Sequence, residues 1–188
     1  MRYDLIAIGG SWGGLAATGK LLEGLPGEVE QPIVVALHRA ADSKRGLLES
    51  LLRHHTSRTV SEPDDKDPIT PRHVYVAPPD YHLLVEGGRF ALSVEARVQY
   101  ARPSIDVLLE SVAQEYREHA IGIVLTGANA DGAAGLAAIK RNGGVAIVED
   151  PRTAAMRTMP EAALAAASAD AVLPLHEIGP FLYGLCCP

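Results

Sequence analysis

Three short polar stretches hold the residues best suited to chemistry. Ser11 lies in Gly9-Gly10-Ser11-Trp12-Gly13-Gly14, His38 in Leu37-His38-Arg39, and Asp131 in Thr126-Gly127-Ala128-Asn129-Ala130-Asp131-Gly132. A serine, a histidine and an aspartate are the groups of a hydrolytic triad. The serine hydroxyl is a weak nucleophile until a histidine takes its proton. The carboxylate fixes the histidine tautomer and stabilises the imidazolium. Gly9-x-Ser11-x-Gly13 also fits the nucleophile-elbow pattern, in which glycines permit a sharp strand-to-helix turn. Such a turn leaves backbone N–H groups at a helix N-terminus, where a developing oxyanion is stabilised. Trp12 and the loop residues Gly127, Ala128 and Asn129 are the candidates for that role. Taken singly, each residue has a plainer reading: Ser11 and Asp131 as helix N-caps, His38 as a satisfied core or edge histidine.

The spacing also separates two neighbouring classes. An α/β-hydrolase carries several strands before its nucleophile and the order serine, acid, histidine; here the serine follows the first strand and the order is Ser11, His38, Asp131. A dinucleotide-binding loop needs a middle glycine and an acidic ribose ligand after the second strand. This chain has Gly9-x-Ser11-x-x-Gly14 and ends its second strand in His38-Arg39.

The elements that must position these residues follow from the hydrophobic pattern. Apolar runs of strand length occur at Leu5–Ile8, Ile33–Leu37, Ile121–Leu125, Val145–Val148 and Ala171–Leu173. Helical spacing appears over Leu15–Leu25, Ser43–His54, Asp131–Arg141, Pro160–Ala167 and Ile178–Leu185. Pro103-Ser104-Ile105-Asp106 opens a further helix to about His119. Short, continuously apolar strands alternating with helices predict a parallel sheet buried on both faces. His73–Ala77, Tyr81–Glu86 and Arg89–Glu95 are also strand-like. Gly87-Gly88 makes the last two a hairpin, read as an antiparallel excursion on the sheet. The fold class is α/β: a three-layer α/β/α, doubly wound, mostly parallel sheet of about seven strands. Sites in such sheets lie beyond the carboxyl ends of the strands, near a switch in strand order.

Composition excludes other functions. The chain has 188 residues, 47% hydrophobic and 21% charged, with a net charge of −6. That is an ordinary globular domain, read as one domain over 1–188, with no positive field for nucleic acid. The two adjacent cysteines, Cys186 and Cys187, have no zinc-like spacing and fit a reducing, cytoplasmic setting. No apolar run approaches the roughly 20 residues of a membrane span.

Read together, the motifs resemble the catalytic domain of the CheB chemotaxis protein-glutamate methylesterases. The resemblance runs from about Asp4 to Leu182. It is carried by Ala7–Gly14, Leu37-His38, Val74–Leu83, Arg102–Asp106, Leu125–Gly132, Gly143-Gly144, Glu149–Pro151 and Met159-Pro160. It implies Ser11 as nucleophile, His38 as base and Asp131 as orienting acid. The implied substrates are γ-glutamyl methyl esters on cytoplasmic helices of methyl-accepting chemotaxis receptors, with some glutamine deamidation. No cofactor and no metal are implied, and the oligomeric state is open. The first strand begins so early that the resemblance is to a catalytic domain without the family's N-terminal receiver domain, either a standalone member or an excised domain. A catalytically weak or inactive binding module on the same fold is the alternative, since Trp12 stands where small residues are common. The loop 127–132 also lacks a glycine and a methionine of the family pattern, so Asn129 is expected in the left-handed conformation. His82 and Arg102 are read as lining the cleft or anchoring its loops. His54, His55, His73, His119 and His176 are read as surface, and the acidic loop 62–67 as solvated. An acidic domain cutting esters on acidic helices predicts little electrostatic steering.

Overall fold

The computed structural model describes residues 3–187. The chain runs β1 (Leu5–Gly10), α1 (Gly14–Glu23), β2 (Ile33–Leu37), α2 (Leu47–Leu52), β3 (Thr59–Ser61) and β4 (His73–Val76). It continues with β5 (His82–Glu86), β6 (Arg89–Ser93), α3 (Ile105–Tyr116), β7 (Ala120–Val124) and α4 (Ala133–Arg141). β8 (Val145–Glu149), α5 (Thr158–Ala166), β9 (Ala171–Leu173) and α6 (Leu175–Cys186) complete it. Seven strands form one sheet in the order β3-β4-β2-β1-β7-β8-β9, and each neighbouring pair is parallel.

Parallel strands need crossovers, and the crossovers place helices on both faces. Ile6 and Ile8 of β1 pack with Leu21 and Leu22 of α1 and with Ile178 and Leu182 of α6. Leu5 and Ala7 face the other way, onto Leu108, Leu109 and Val112 of α3 and Leu136 and Ile139 of α4. Every residue of β1, β2 and β7 is buried, as their continuous apolar runs require. The chain leaves β1 toward β2, β4 and β3, then crosses back through α3 to β7 on β1's opposite side. The strand order therefore switches between β1 and β7.

Three expectations need correction. The hairpin β5–β6 is not an excursion of the main sheet. It forms its own two-stranded antiparallel sheet and joins the core through Leu83, Val85 and Phe90 on the α3 side. The edge beyond β4 is already occupied by β3, a three-residue strand with only Val60 buried and so without a readable period. The helix expected over 43–54 is α-helical only over Leu47–Leu52, because Gly46 at φ 79 starts it late and a 3₁₀ turn over Arg53–His55 ends it. Finally, α6 begins earlier than its apolar spacing suggests and carries Pro180 inside it.

The close approach of α3 to β1 depends on Gly9. A Cβ there would stand 2.1 Å from Ile105 Cγ2, the first residue of α3. Gly9→Ala is expected to destabilise the fold by roughly 1–3 kcal/mol, the usual result of overpacking a rigid contact. A lowered urea midpoint with an unchanged slope would show it. An unchanged midpoint would mean that α3 moves aside freely.

Candidate active site

The order β2-β1-β7 makes His38, Ser11 and the 126–132 loop neighbours, because each follows directly on its strand. The backbone ladder runs past the strand ends and fixes their alignment. His38 N donates to Gly10 O at 3.2 Å, and Ser11 N donates to Thr126 O at 2.9 Å. The turn into α1 passes through Gly13 at φ 76, where a Cβ would approach Ala155 Cβ to 3.0 Å. Gly14 N donates to Ser11 O at 2.7 Å, and no side chain caps α1. The Ser11 hydroxyl is therefore not a helix cap. Among the described residues, Trp12 N and Gly13 N have no protein acceptor, so the turn after Ser11 carries two uncommitted N–H groups.

Asp131 does not cap its own helix either; the N-cap of α4 is Gly132. Its carboxylate lies instead at the N-terminus of α3. Oδ1 accepts from Ser104 Oγ at 2.8 Å and Asp106 N at 2.9 Å; Oδ2 accepts from Ile105 N at 2.8 Å. Oδ2 also meets His38 Nε2 at 2.6 Å. The residue is fully buried. Burial pushes its carboxyl up, but the bonds from His38, from the Asp106 and Ile105 amides and from Ser104 outweigh that and hold it below its ordinary range. Asp106, in the first turn of α3, returns the arrangement. Its Oδ1 accepts from Gly132 N and Gly135 N, both at 2.8 Å, at the start of α4. Burial raises the Asp106 carboxyl; the Gly135 and Gly132 amides oppose this and the nearby Asp131 charge adds to it. Two helices thus exchange carboxylates at their N-termini, where unpaired N–H groups and the helix dipole favour negative charge.

His38 uses Nε2 for Asp131, which leaves Nδ1 as its other ring nitrogen; no hydrogen bond joins the ring to Ser11 Oγ. Beside His38 opens a cleft of about 420 Å³, walled by Arg39, Arg97, Tyr100, Arg102 and Asn129. Trp12 stands 68% exposed.

The loop candidates divide. Gly127 is buried: its N–H donates to Met156 O at 3.2 Å, and a Cβ would fall 2.5 Å from Met159. It anchors the loop and has no amide to spare for an oxyanion. Ala128 is exposed. Asn129 lines the cleft, but it is not in the left-handed region, contrary to expectation. Its Oδ1 accepts from Asp131 N at 3.2 Å, a local side-chain turn that needs no positive φ.

Sequence reasoning missed Thr126 and Glu149 as parts of this site. Glu149, buried at the end of β8, accepts from Thr126 N at 2.7 Å. Thr126 Oγ1 accepts from Met156 N at 2.7 Å and reaches the carbonyls of Trp12 and Met156 at 3.0 and 3.2 Å. Thr126 thereby ties the Ser11 turn to the 154–158 segment. Both residues fall within the motifs quoted above, which was the available signal. His82 proves to be an anchor: buried, it bonds Ala96 O at 3.1 Å and accepts from Ser104 N at 3.2 Å. Arg102 anchors too, on Asp80 and on the carbonyls of Val94 and Glu95, while also lining the cleft.

Two surface assignments change. His73 is half-buried, stacked on Tyr75 with ring centroids 4.1 Å apart and bonded to Ser61 Oγ. Glu62 leaves the solvated loop for a buried ion pair with Arg39 at 2.6 Å. Among the described residues, no three His, Cys, Asp or Glu side chains are grouped to hold a metal.

Because the folded Asp131 carboxyl titrates below its unfolded value of about 3.9, its stabilisation is complete above that value. It is lost as pH falls through the depressed folded pKa. Asp131→Asn should lower the unfolding free energy by roughly 3 kcal/mol at pH 7, since it turns an acceptor into a donor facing buried N–H groups. Urea titrations should show the difference shrinking below about pH 4. A difference independent of pH would mean that the charge of Asp131 contributes nothing.

Comparison with known proteins gives the family. Residues 6–182 match the family model described as CheB methylesterase. A Leptospira interrogans protein named for protein-glutamate methylesterase/protein-glutamine glutaminase activity is 45% identical over 179 residues, covering 95% of this chain and 92% of the relative. A Caulobacter vibrioides protein of the same designation is 36% identical, and the match spans only 53% of its length. The crystal structure of the Thermotoga maritima CheB methylesterase catalytic domain superposes with a TM-score of 0.88 at 32% identity, covering 98% of this chain and 100% of that one. Sequence and fold together show that the chain belongs to the CheB methylesterase family of carboxylic ester hydrolases.

Proposed function

We propose that this protein is a serine hydrolase that demethylates γ-glutamyl methyl esters on the cytoplasmic helices of methyl-accepting chemotaxis receptors, and deamidates glutamines at equivalent positions. The observation that carries the reading is the 2.6 Å bond between His38 and a fully buried Asp131, set beside an uncapped Ser11 hydroxyl at the switch in strand order.

In this mechanism His38 accepts the Ser11 proton at Nδ1 as Ser11 Oγ attacks the ester carbonyl. Asp131, held ionised by four donors, stabilises the imidazolium. The open N–H groups of Trp12 and Gly13 face the developing oxyanion; such donors are worth on the order of 3–4 kcal/mol each. Collapse of the intermediate breaks the bond to methoxide, which takes the His38 proton and leaves as methanol. Water then adds to the acyl-serine while His38 takes its proton. The serine leaves reprotonated, and glutamate is released. With a glutamine substrate the leaving group is ammonia.

The absence of a bond between Ser11 and His38 supports the alternative of a weak or inactive binding module. The physics of free active sites answers it: catalytic hydrogen bonds are often long until substrate is seated. Methanol release from methylated receptor preparations decides between them. Ser11→Ala should reduce release by about 10⁶-fold, to background. Asp131→Asn should reduce kcat by about 10⁴-fold, because the histidine then takes the wrong tautomer. Undiminished release from a pure Ser11→Ala preparation would place the nucleophile elsewhere.

A further inference from the structure

The cleft beside His38 has an electrostatic character opposite to that of the whole chain. The chain carries a net charge of −6, yet the cleft walls contain Arg39, Arg97 and Arg102 and no acidic residue. The three are not equivalent. Arg39 is buried against Glu62 at 2.6 Å, and that pair is neutral. Arg102 holds Asp80 Oδ1 at 2.7 and 3.1 Å and donates to two carbonyls besides. Arg97 reaches the same Asp80 oxygen only at 3.9 Å, and its side chain is more than half exposed. One carboxylate thus serves two guanidiniums, and the charge left over is that of Arg97.

The turn that follows is built against its own backbone preference. Val98 and Ala101 exchange both backbone hydrogen bonds, at 3.1 and 2.9 Å, around Gln99 and Tyr100. Those two residues have φ of 48° and 65°. A two-residue turn with both central residues left-handed is normally made by Asn-Gly, because side chains such as these are disfavoured there. Tyr100 gains nothing from burial in exchange, being 98% exposed at the cleft. Gln99 connects the turn to the site, its Nε2 lying 3.5 Å from Asp106 Oδ2. Strain of this kind persists only where the surroundings hold it, and it clusters at functional sites.

We infer that the 97–101 turn is a substrate-recognition arm: Arg97 selects peptide segments with carboxylates beside the scissile γ-ester, and Tyr100 packs on that segment. This deepens the esterase reading and rests on it for the identity of the ester. It also replaces the expectation of little electrostatic steering with local attraction at the cleft.

The test separates binding from catalysis. Fluorescein-labelled peptides bearing one glutamine at the reactive position, flanked by either glutamates or glutamines, are titrated into the Ser11→Ala protein by anisotropy. The acidic peptide should bind about fivefold tighter at low salt, as one partly exposed ion pair allows. Adding Arg97→Gln should abolish that preference. Tyr100→Gly should weaken both peptides alike and raise Tm by about 2 °C, since glycine relieves the turn. In the wild-type protein, Arg97→Gln should raise KM for an acidic methyl-ester peptide about fivefold, with kcat within twofold. Equal affinity for the two peptides, or a preference that survives Arg97→Gln, overturns the arm. So does a Tyr100→Gly variant with lowered Tm and unchanged affinity. Acidic preference in binding with no methanol release overturns the esterase reading alone; release without that preference overturns the arm alone.

Discussion

The exchange of carboxylates between α3 and α4 is the constraint on which the site depends. Asp131 precedes α4 but satisfies the first amides of α3; Asp106 lies in the first turn of α3 but satisfies the first amides of α4. Neither helix could start at this depth without it, because buried orphan amides are costly. The exchange also drives the two carboxyls in opposite directions. Of two acidic groups this close, Asp131 receives the histidine and stays ionised, while burial raises Asp106. The surroundings thus divide one helix contact into a carboxylate held ionised against His38 and a neighbour whose carboxyl burial raises.

From that contact the rest of the site follows by adjacency. α3 reaches Asp131 only because Gly9 lets Ile105 lie against β1. β1 lies between β2 and β7, so the same strand that admits α3 delivers Ser11 between His38 and the 126–132 loop. Thr126 then closes the arrangement from behind, accepting from Ser11 N through its carbonyl and holding the Trp12 carbonyl through its hydroxyl. The Ser11 turn is therefore held through its own backbone on two sides, by a carbonyl and by a hydroxyl of Thr126.

Much of this was legible in the amino-acid sequence, for a stated reason. Ser11 and His38 each follow a short apolar run and Asp131 closes the polar loop after a third, and in a doubly wound sheet the carboxyl ends of strands mark a site. What was not legible depends on contacts distant in sequence. Ser104-Ile105-Asp106 reads as an ordinary local helix start, and Ser104 does cap α3. Nothing in those residues says that Asp106 serves a helix beginning 27 positions later, at Ala133. Glu62 reads as one more charge in an acidic loop until Arg39 is found against it. β3 is too short to show a period, and Gln99-Tyr100 lacks the Asn-Gly that would have marked a tight turn. The net charge averages over the whole surface and says nothing of how arginines are distributed, three of which line the cleft.

The central claim is that Ser11, His38 and Asp131 act as one unit. Covalent capture tests it most directly. The native protein is treated with a fluorophosphonate and the adduct is located by peptide mass mapping, in the wild type and in His38→Gln. The account predicts a single adduct on Ser11 that disappears when His38 is replaced. An adduct on another serine, or on Ser11 at the same rate without His38, would contradict it.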